Sequence, residues 1–209
     1  PCVWDCYSTK AAEMSGFKAA LLAGTPAAAS LTGTPDLGLM TGDELIYLTE
    51  RVASFATIPI LVDFDEGYGD SPINTYRNIT RLVNAGAQGF TLDDGMGIRG
   101  CTRMPVAKTG KHPYELVSRE HFAAKIRAAL EAIRGTDCVL IARTEVRINE
   151  GFEEAIYRMK MAEDLGAHMT MINNVRGIEE ARHVAETCKG WKMYPDIVSH
   201  DGQTDADLD

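Results

Sequence analysis

Acidic side chains recur where short apolar runs end. The run through Val62 closes in Asp63-Phe64-Asp65-Glu66-Gly67-Tyr68-Gly69, and the run to Leu92 closes in Asp93-Asp94-Gly95. Asp36 sits in a Gly/Pro loop, Arg143-Thr144-Glu145 follows Ala142, and Asn173-Asn174 follows Ile172. Asp63 and Asp65 are two residues apart, so an extended strand turns both carboxylates the same way. Like charges held together and partly buried require a cation or a shared proton. Carboxylates without Cys or His partners suit Mg2+ or Mn2+, and Asp63, Asp65 and Asp93 are the expected ligands. Glu66 and Asp94 are expected behind that set or in solvent. Arg143 follows four apolar residues, and a buried guanidinium needs an anion: a strand-end Asp or a substrate carboxylate.

Cys101 lies among Gly97, Arg99, Gly100 and Arg103, where nearby cations favour a thiolate. Cys138 opens the apolar run Cys138-Val139-Leu140-Ile141-Ala142 and reads as core. The five cysteines form no close pairs and no zinc spacing, which fits buried thiols in a reducing cytoplasm.

These residues need a scaffold that brings strand ends together. Continuously apolar runs at 18–22, 59–64, 89–92, 138–142 and 169–172 read as strands buried on both faces, with weaker ones at 2–4 and 192–194. Amphipathic helices are expected at 8–15, 42–55, 73–85, 118–133, 152–165 and 177–188, with Thr41 and Ser118 as N-caps. Gly16, Gly86 and Gly166 each end a helix shortly before a strand, a weak internal repeat. Strand–helix alternation with no Gly-rich dinucleotide fingerprint favours a (β/α)8 TIM barrel, whose active sites lie at the C-terminal ends of the strands. Seven strands are visible and no eighth. The expectation is therefore one barrel domain over 1–209, incomplete at its C-terminus, since such barrels typically run to about 250 residues.

Composition agrees. The 209 residues are 45% hydrophobic, enough for a sizeable core, and the net charge of −9 disfavours a phosphate-backbone partner. No apolar stretch is long enough to span a membrane, and no signal peptide opens the chain.

The motifs resemble those of the isocitrate lyase / phosphoenolpyruvate mutase superfamily over nearly the whole chain. Asp63-Phe64-Asp65-Glu66-Gly67-Tyr68-Gly69 is similar to its D-x-D-x-G-[YF]-G motif. Leu92-Asp93-Asp94 stands where the family has I-E-D, Ala142-Arg143-Thr144-Glu145 where it has A-R-T-D, and Pro35-Asp36-Leu37-Gly38 where it has P-D-x-G. Pro1 to Gly16, with Trp4-Asp5, resembles the family opening. The resemblance implies an α-carboxylate site around Mg2+. Asp63 and Asp65 would bind the metal, Asp93 would replace the usual Glu, and Asp36 would hold metal-bound water or ligand. Trp4, Arg143, Asn173 and the backbone at Ala23, Gly24 and Thr25 would contact substrate.

Members of the superfamily differ in the loop after the E-D pair. The lyases carry K-[KR]-C-G-H there, and Cys101 is in register with that cysteine, eight residues after Asp93. The following Gly-His is absent. Asn173 replaces a family Glu, and Tyr194-Pro195-Asp196-Ile197 replaces N-[MI]-T-E, so an established tricarboxylate specificity is not implied. The residues 105–113 lengthen the loop and carry Lys108, Lys111 and His112. The resulting expectation is a Mg2+-dependent lyase of small 2-hydroxy- or 2-oxo-carboxylates, acting through an enolate with Cys101 as proton donor. The alternatives are an oxaloacetate decarboxylase, a phosphonopyruvate hydrolase, a P–C mutase, or a metal-dependent carboxylate-binding barrel without turnover. The resemblance also implies a homotetramer, a dimer of helix-swapped dimers, in the cytoplasm.

Overall fold

The computed structural model describes residues 1–96 and 115–194, and the backbone of 197 and 198. In chain order the elements are β1 (Cys2–Val3), α1 (Cys6–Met14), β2 (Ala20–Leu22), α2 (Gly24–Thr32), α3 (Gly42–Phe55), β3 (Ile60–Asp63), α4 (Pro72–Asn84), β4 (Gly89–Leu92) and β5 (Gly95–Met96). They continue with β6 (Glu115–Leu116), α5 (Arg119–Ala132), β7 (Val139–Thr144), α6 (Phe152–Leu165), β8 (Met169–Ile172), β9 (Val175–Arg176), α7 (Gly177–Thr187), β10 (Trp191–Lys192) and β11 (Ile197–Val198).

Seven strands form one parallel sheet in the order β1-β2-β3-β4-β7-β8-β10. Sequential parallel strands with helices between them are the arrangement of a (β/α)8 barrel, so the strand C-termini share one end. The strands are buried because they are apolar throughout: Gly89–Leu92 is buried at every position. Leu22, Ile60, Val62, Phe64, Phe90, Leu92 and Leu140 are all fully enclosed. Gly89 is required there, since a Cβ would stand 3.1 Å from the Val139 carbonyl oxygen.

The helices are specified locally. Thr41 and Glu44 form a reciprocal capping box at the start of α3, worth about 1 kcal/mol. Ser118 caps α5 through the His121 N–H at 3.2 Å. Asp5 caps α1 in the same reciprocal way with Ser8, so that helix begins two residues before its expected start at Ser8.

Three expectations are corrected. The stretch after β2 reads as a loop but is helix α2, beginning at Gly24. Pro26 falls in its first turn, where a missing N–H costs nothing, the alanines favour helix, and Gly33 ends it at φ 69. The strand at 138–142 runs on to Thr144, placing Arg143 on regular backbone. The strand at 59–64 stops at Asp63, so strand alternation does not aim Asp65.

Candidate active site

Asp63 is the last residue of β3, and one of its carboxylate oxygens is fixed from two neighbouring strands. Asp63 Oδ1 accepts from Thr91 Oγ1 at 2.8 Å and from Arg143 Nη1 at 3.0 Å. Asp65 lies in a loop with left-handed backbone at Asp65 (φ 52), Tyr68 (φ 53) and Gly67 (φ 88). Asp tolerates that region better than most residues, at about 1 kcal/mol or more of strain. The loop is held regardless: Asn78 Nδ2 donates to the carbonyls of Gly67 and Tyr68 at 3.1 and 3.0 Å. Tyr68 Oη donates to Asp65 Oδ2 at 3.1 Å. The Asp65 carbonyl accepts from Asp93 N at 2.8 Å, which locks the loop to the end of β4.

Gly24 marks where these carboxylates meet. A Cβ built on Gly24 would lie 3.4 Å from Asp63 Oδ2, 3.7 Å from Asp65 Oδ1 and 3.9 Å from Asp36 Oδ2. Asp36 is brought there by Thr25, whose Oγ1 donates to Asp36 Oδ2 at 2.9 Å. Gly24 and Thr25 open α2, with Ala23 as N-cap, so their N–H groups face a position where helix termini favour anions. Three hard oxygen donors around a space emptied of side chain suit Mg2+ or Mn2+. Among the described residues no three such side chains close tightly enough to hold an ion alone, so water would complete the coordination, as Mg2+ prefers.

Asp93 is fully buried, and its Oδ1 accepts from Gly95 N at 2.9 Å. Asp63, Asp65 and Asp36 thus converge at Gly24, while Asp93 joins them through backbone. Trp4 follows β1 and is 40% exposed at the same end of the sheet. Cys101 lies outside the described residues. So does the 105–113 segment with His112.

Arg143 pairs with more than one carboxylate. Besides Asp63 it donates from Nε to Glu145 Oε1 at 2.6 Å and also pairs with it through Nη2. Asn173 Nδ2 donates to both oxygens of Glu145 at 2.9 Å. Burial pushes the Glu145 carboxyl above its usual range, and the Arg143 charge opposes this. Asp94 is enclosed rather than solvated. It accepts from the Glu145 N–H, Thr144 Oγ1 and Arg158 Nη1. Burial pushes Asp94 up to about 6 despite these donors. Glu145 and Arg158 were not expected in this network. Glu145's signal was its place two residues after Arg143, and Arg158's was a charge on the α6 face that carries Ala155, Ile156, Met159 and Ala162.

The family model described as phosphoenolpyruvate phosphomutase matches residues 1–208. The chain belongs to the phosphoenolpyruvate mutase family. The petal death protein of Dianthus caryophyllus is 36% identical over 92% of this chain and 58% of its own length. The 2-methylisocitrate lyase of Escherichia coli (strain K12) is 32% identical over 84% of this chain and 57% of its own. The chain therefore spans little more than half the length of these relatives. The crystal structure of 2,3-dimethylmalate lyase, described as a PEP mutase/isocitrate lyase superfamily member, superposes with a TM-score of 0.83 at 30% identity. That match covers 97% of this chain and 67% of the other. Phosphonopyruvate hydrolase in complex with oxalate and Mg2+ superposes at 0.77 with 26% identity, covering 95% and 65%. The family resemblance read from the motifs therefore holds over the chain, and with it the barrel.

Proposed function

We propose that this member of the phosphoenolpyruvate mutase family is a Mg2+-dependent lyase that cleaves a C–C bond in a small 2-hydroxy- or 2-oxo-carboxylate. The observation that carries the reading is the convergence of Asp36, Asp63 and Asp65 on the side-chain-free N-terminus of α2. A divalent cation bound there supplies a Lewis acid for a developing oxyanion. Asp63 and Asp65 would hold it, with Asp36 and Asp93 beside them. The N–H groups of Gly24 and Thr25 take one end of the substrate's α-carboxylate. Arg143 takes a carboxylate by exchanging it against Glu145, and Trp4 and Asn173 bound the substrate. As the C–C bond breaks, the substrate hydroxyl loses its proton to solvent, the electron pair of the broken bond passes into an enolate, and Cys101 in its thiol form gives the proton that the product carbon takes up.

The full-length protein with Mg2+ and a panel of such acids is expected to release pyruvate, glyoxylate or succinate. Cys101→Ser is expected to lower kcat by 100-fold or more, in the range of a lost general acid. Undiminished turnover in Cys101→Ser would refute its role. Phosphorus release from phosphonopyruvate without C–C cleavage would refute the lyase reading. A homotetramer of helix-swapped dimers in the cytoplasm is proposed for the full-length protein. Support for the compartment comes from four free cysteines among the described residues. Light scattering checks the assembly.

A further inference from the structure

Lys125 is wholly buried, and its Nζ has no hydrogen-bond partner among the described residues. A buried ammonium without partners is costly, so a lysine persists in such a place only where it does something. Its surroundings indicate what. Lys125 is in the second turn of α5, and helical side chains lean toward the helix N-terminus. That end of α5 adjoins the end of β4, because Val117 N donates to the Asp94 carbonyl at 2.9 Å. Its other neighbour is the β3–α4 loop, since His121 Nε2 lies 2.7 Å from the Asp70 carbonyl. Four carboxylates accordingly act on Lys125: Asp93, Glu66, Asp70 and Asp94. Burial draws its basicity below the usual lysine range, and these four charges oppose the shift.

We propose that Lys125 is a positioning residue, a resident counter-cation beneath the mouth that holds Glu66 and Asp93 in place when no divalent ion is bound. From α5, whose N-terminal end adjoins both the end of β4 and the β3–α4 loop, its charge offsets the mutual repulsion of these acids. Its charge also opposes a second cation at the mouth. The site is thereby kept assembled without metal, and its metal affinity is kept moderate. Only this last consequence rests on the lyase reading.

The test uses the full-length protein with Lys125→Met, which keeps the volume and removes the charge, and Lys125→Arg, which keeps the charge. In EDTA at low ionic strength Lys125→Met is expected to melt about 5 °C or more below wild type, as one lost favourable interaction would produce. Sodium chloride is expected to recover part of that loss through the partly exposed Glu66, because screening relieves repulsion at the solvent edge but not a packing defect. Lys125→Arg is expected to stay close to wild type. Adding Glu66→Gln to Lys125→Met is expected to restore melting without salt, which also covers a single variant too unstable to purify. An unpartnered ammonium of no consequence predicts the opposite, a Met variant as stable as wild type or more so. That result, a loss indifferent to salt, or no rescue by Glu66→Gln would overturn the proposal. In a Mn2+ titration Lys125→Met is expected to bind about tenfold more tightly than wild type, from removal of a like charge, and unchanged affinity would overturn the moderating role. A wild-type protein that binds no Mn2+ defeats the lyase reading alone, since the salt series decides the counter-cation without metal.

Discussion

Gly24 and Glu145 are the two residues whose chemistry is least visible from their names. Gly24 matters for what it leaves out. A methyl group there would meet Asp63 Oδ2 at 3.4 Å, an ordinary contact, so the fold tolerates Gly24→Ala while the space between three carboxylates is filled. The variant is expected to melt within about 2 °C of wild type, since the added methyl makes only ordinary contacts, yet to lose about tenfold or more in Mn2+ affinity. Mn2+ binding as tight as wild type would mean that the ion sits elsewhere. Glu145 occupies the guanidinium fork that a substrate carboxylate would take. Glu145→Gln removes half of a buried pair and is expected to cost about 3 kcal/mol. It also frees positive charge on Arg143, so oxalate should raise the melting temperature of Glu145→Gln more than that of wild type. Equal or smaller stabilisation by oxalate would show that Arg143 serves the fold and not the ligand.

At the scale of elements, what could be read from the sequence divides along physical lines. Strands buried on both faces are apolar throughout, so β3, β4, β7 and β8 stand out, and with them the strand-end acids. Helix α2 does not stand out. Its Gly24-Thr25-Pro26 opening carries turn signals, and only the tertiary placement after β2 turns them into a helix start. Asp65 meets Asp63 at Gly24 through a left-handed loop clamped by Asn78, and strand alternation does not place it there. Cys101 and the loop around it stay a reading of the sequence alone. The network around Asp94 could not be read at all, because it joins the ends of β4 and β7 to the inner face of α6 through contacts distant in sequence. That junction carries a pH signature. Burial raises Asp94 from 3.8 to about 6, so the folded state prefers the protonated acid. Its stabilising contribution is present below about pH 4 and is lost as pH rises through 6, up to about 3 kcal/mol. In EDTA, wild type is expected to lose stability relative to Asp94→Asn between pH 4 and pH 6.5. A relative gain over that interval would contradict the assignment.

Across the whole molecule, acidity is distributed with purpose. The net charge of −9 includes the acids gathered at the strand ends, and among the described residues Arg143, Arg158 and Lys125 are the buried cations that offset them. Two of the thiols follow the opposite rule and are kept neutral by exclusion from water. Cys138 and Cys188 are buried in the core, and burial pushes each up to about 11 from 9. Cys2 is exposed and Cys6 is partly so. Iodoacetamide at pH 8 is therefore expected to label Cys2 quickly and to leave Cys138 and Cys188 untouched until the chain unfolds. A raised folded pKa means that the unfolded chain ionises first. The contribution of these two thiols to stability is thus intact below pH 9 and is lost as pH rises through 11. The double variant Cys138→Ala, Cys188→Ala is expected to begin less stable, because two buried sulfurs leave cavities, and then to decline less than wild type from pH 9 to pH 11. Parallel decline of the two proteins over that interval would show that the sulfurs reach water in the native state, and rapid labelling of Cys138 would show it directly.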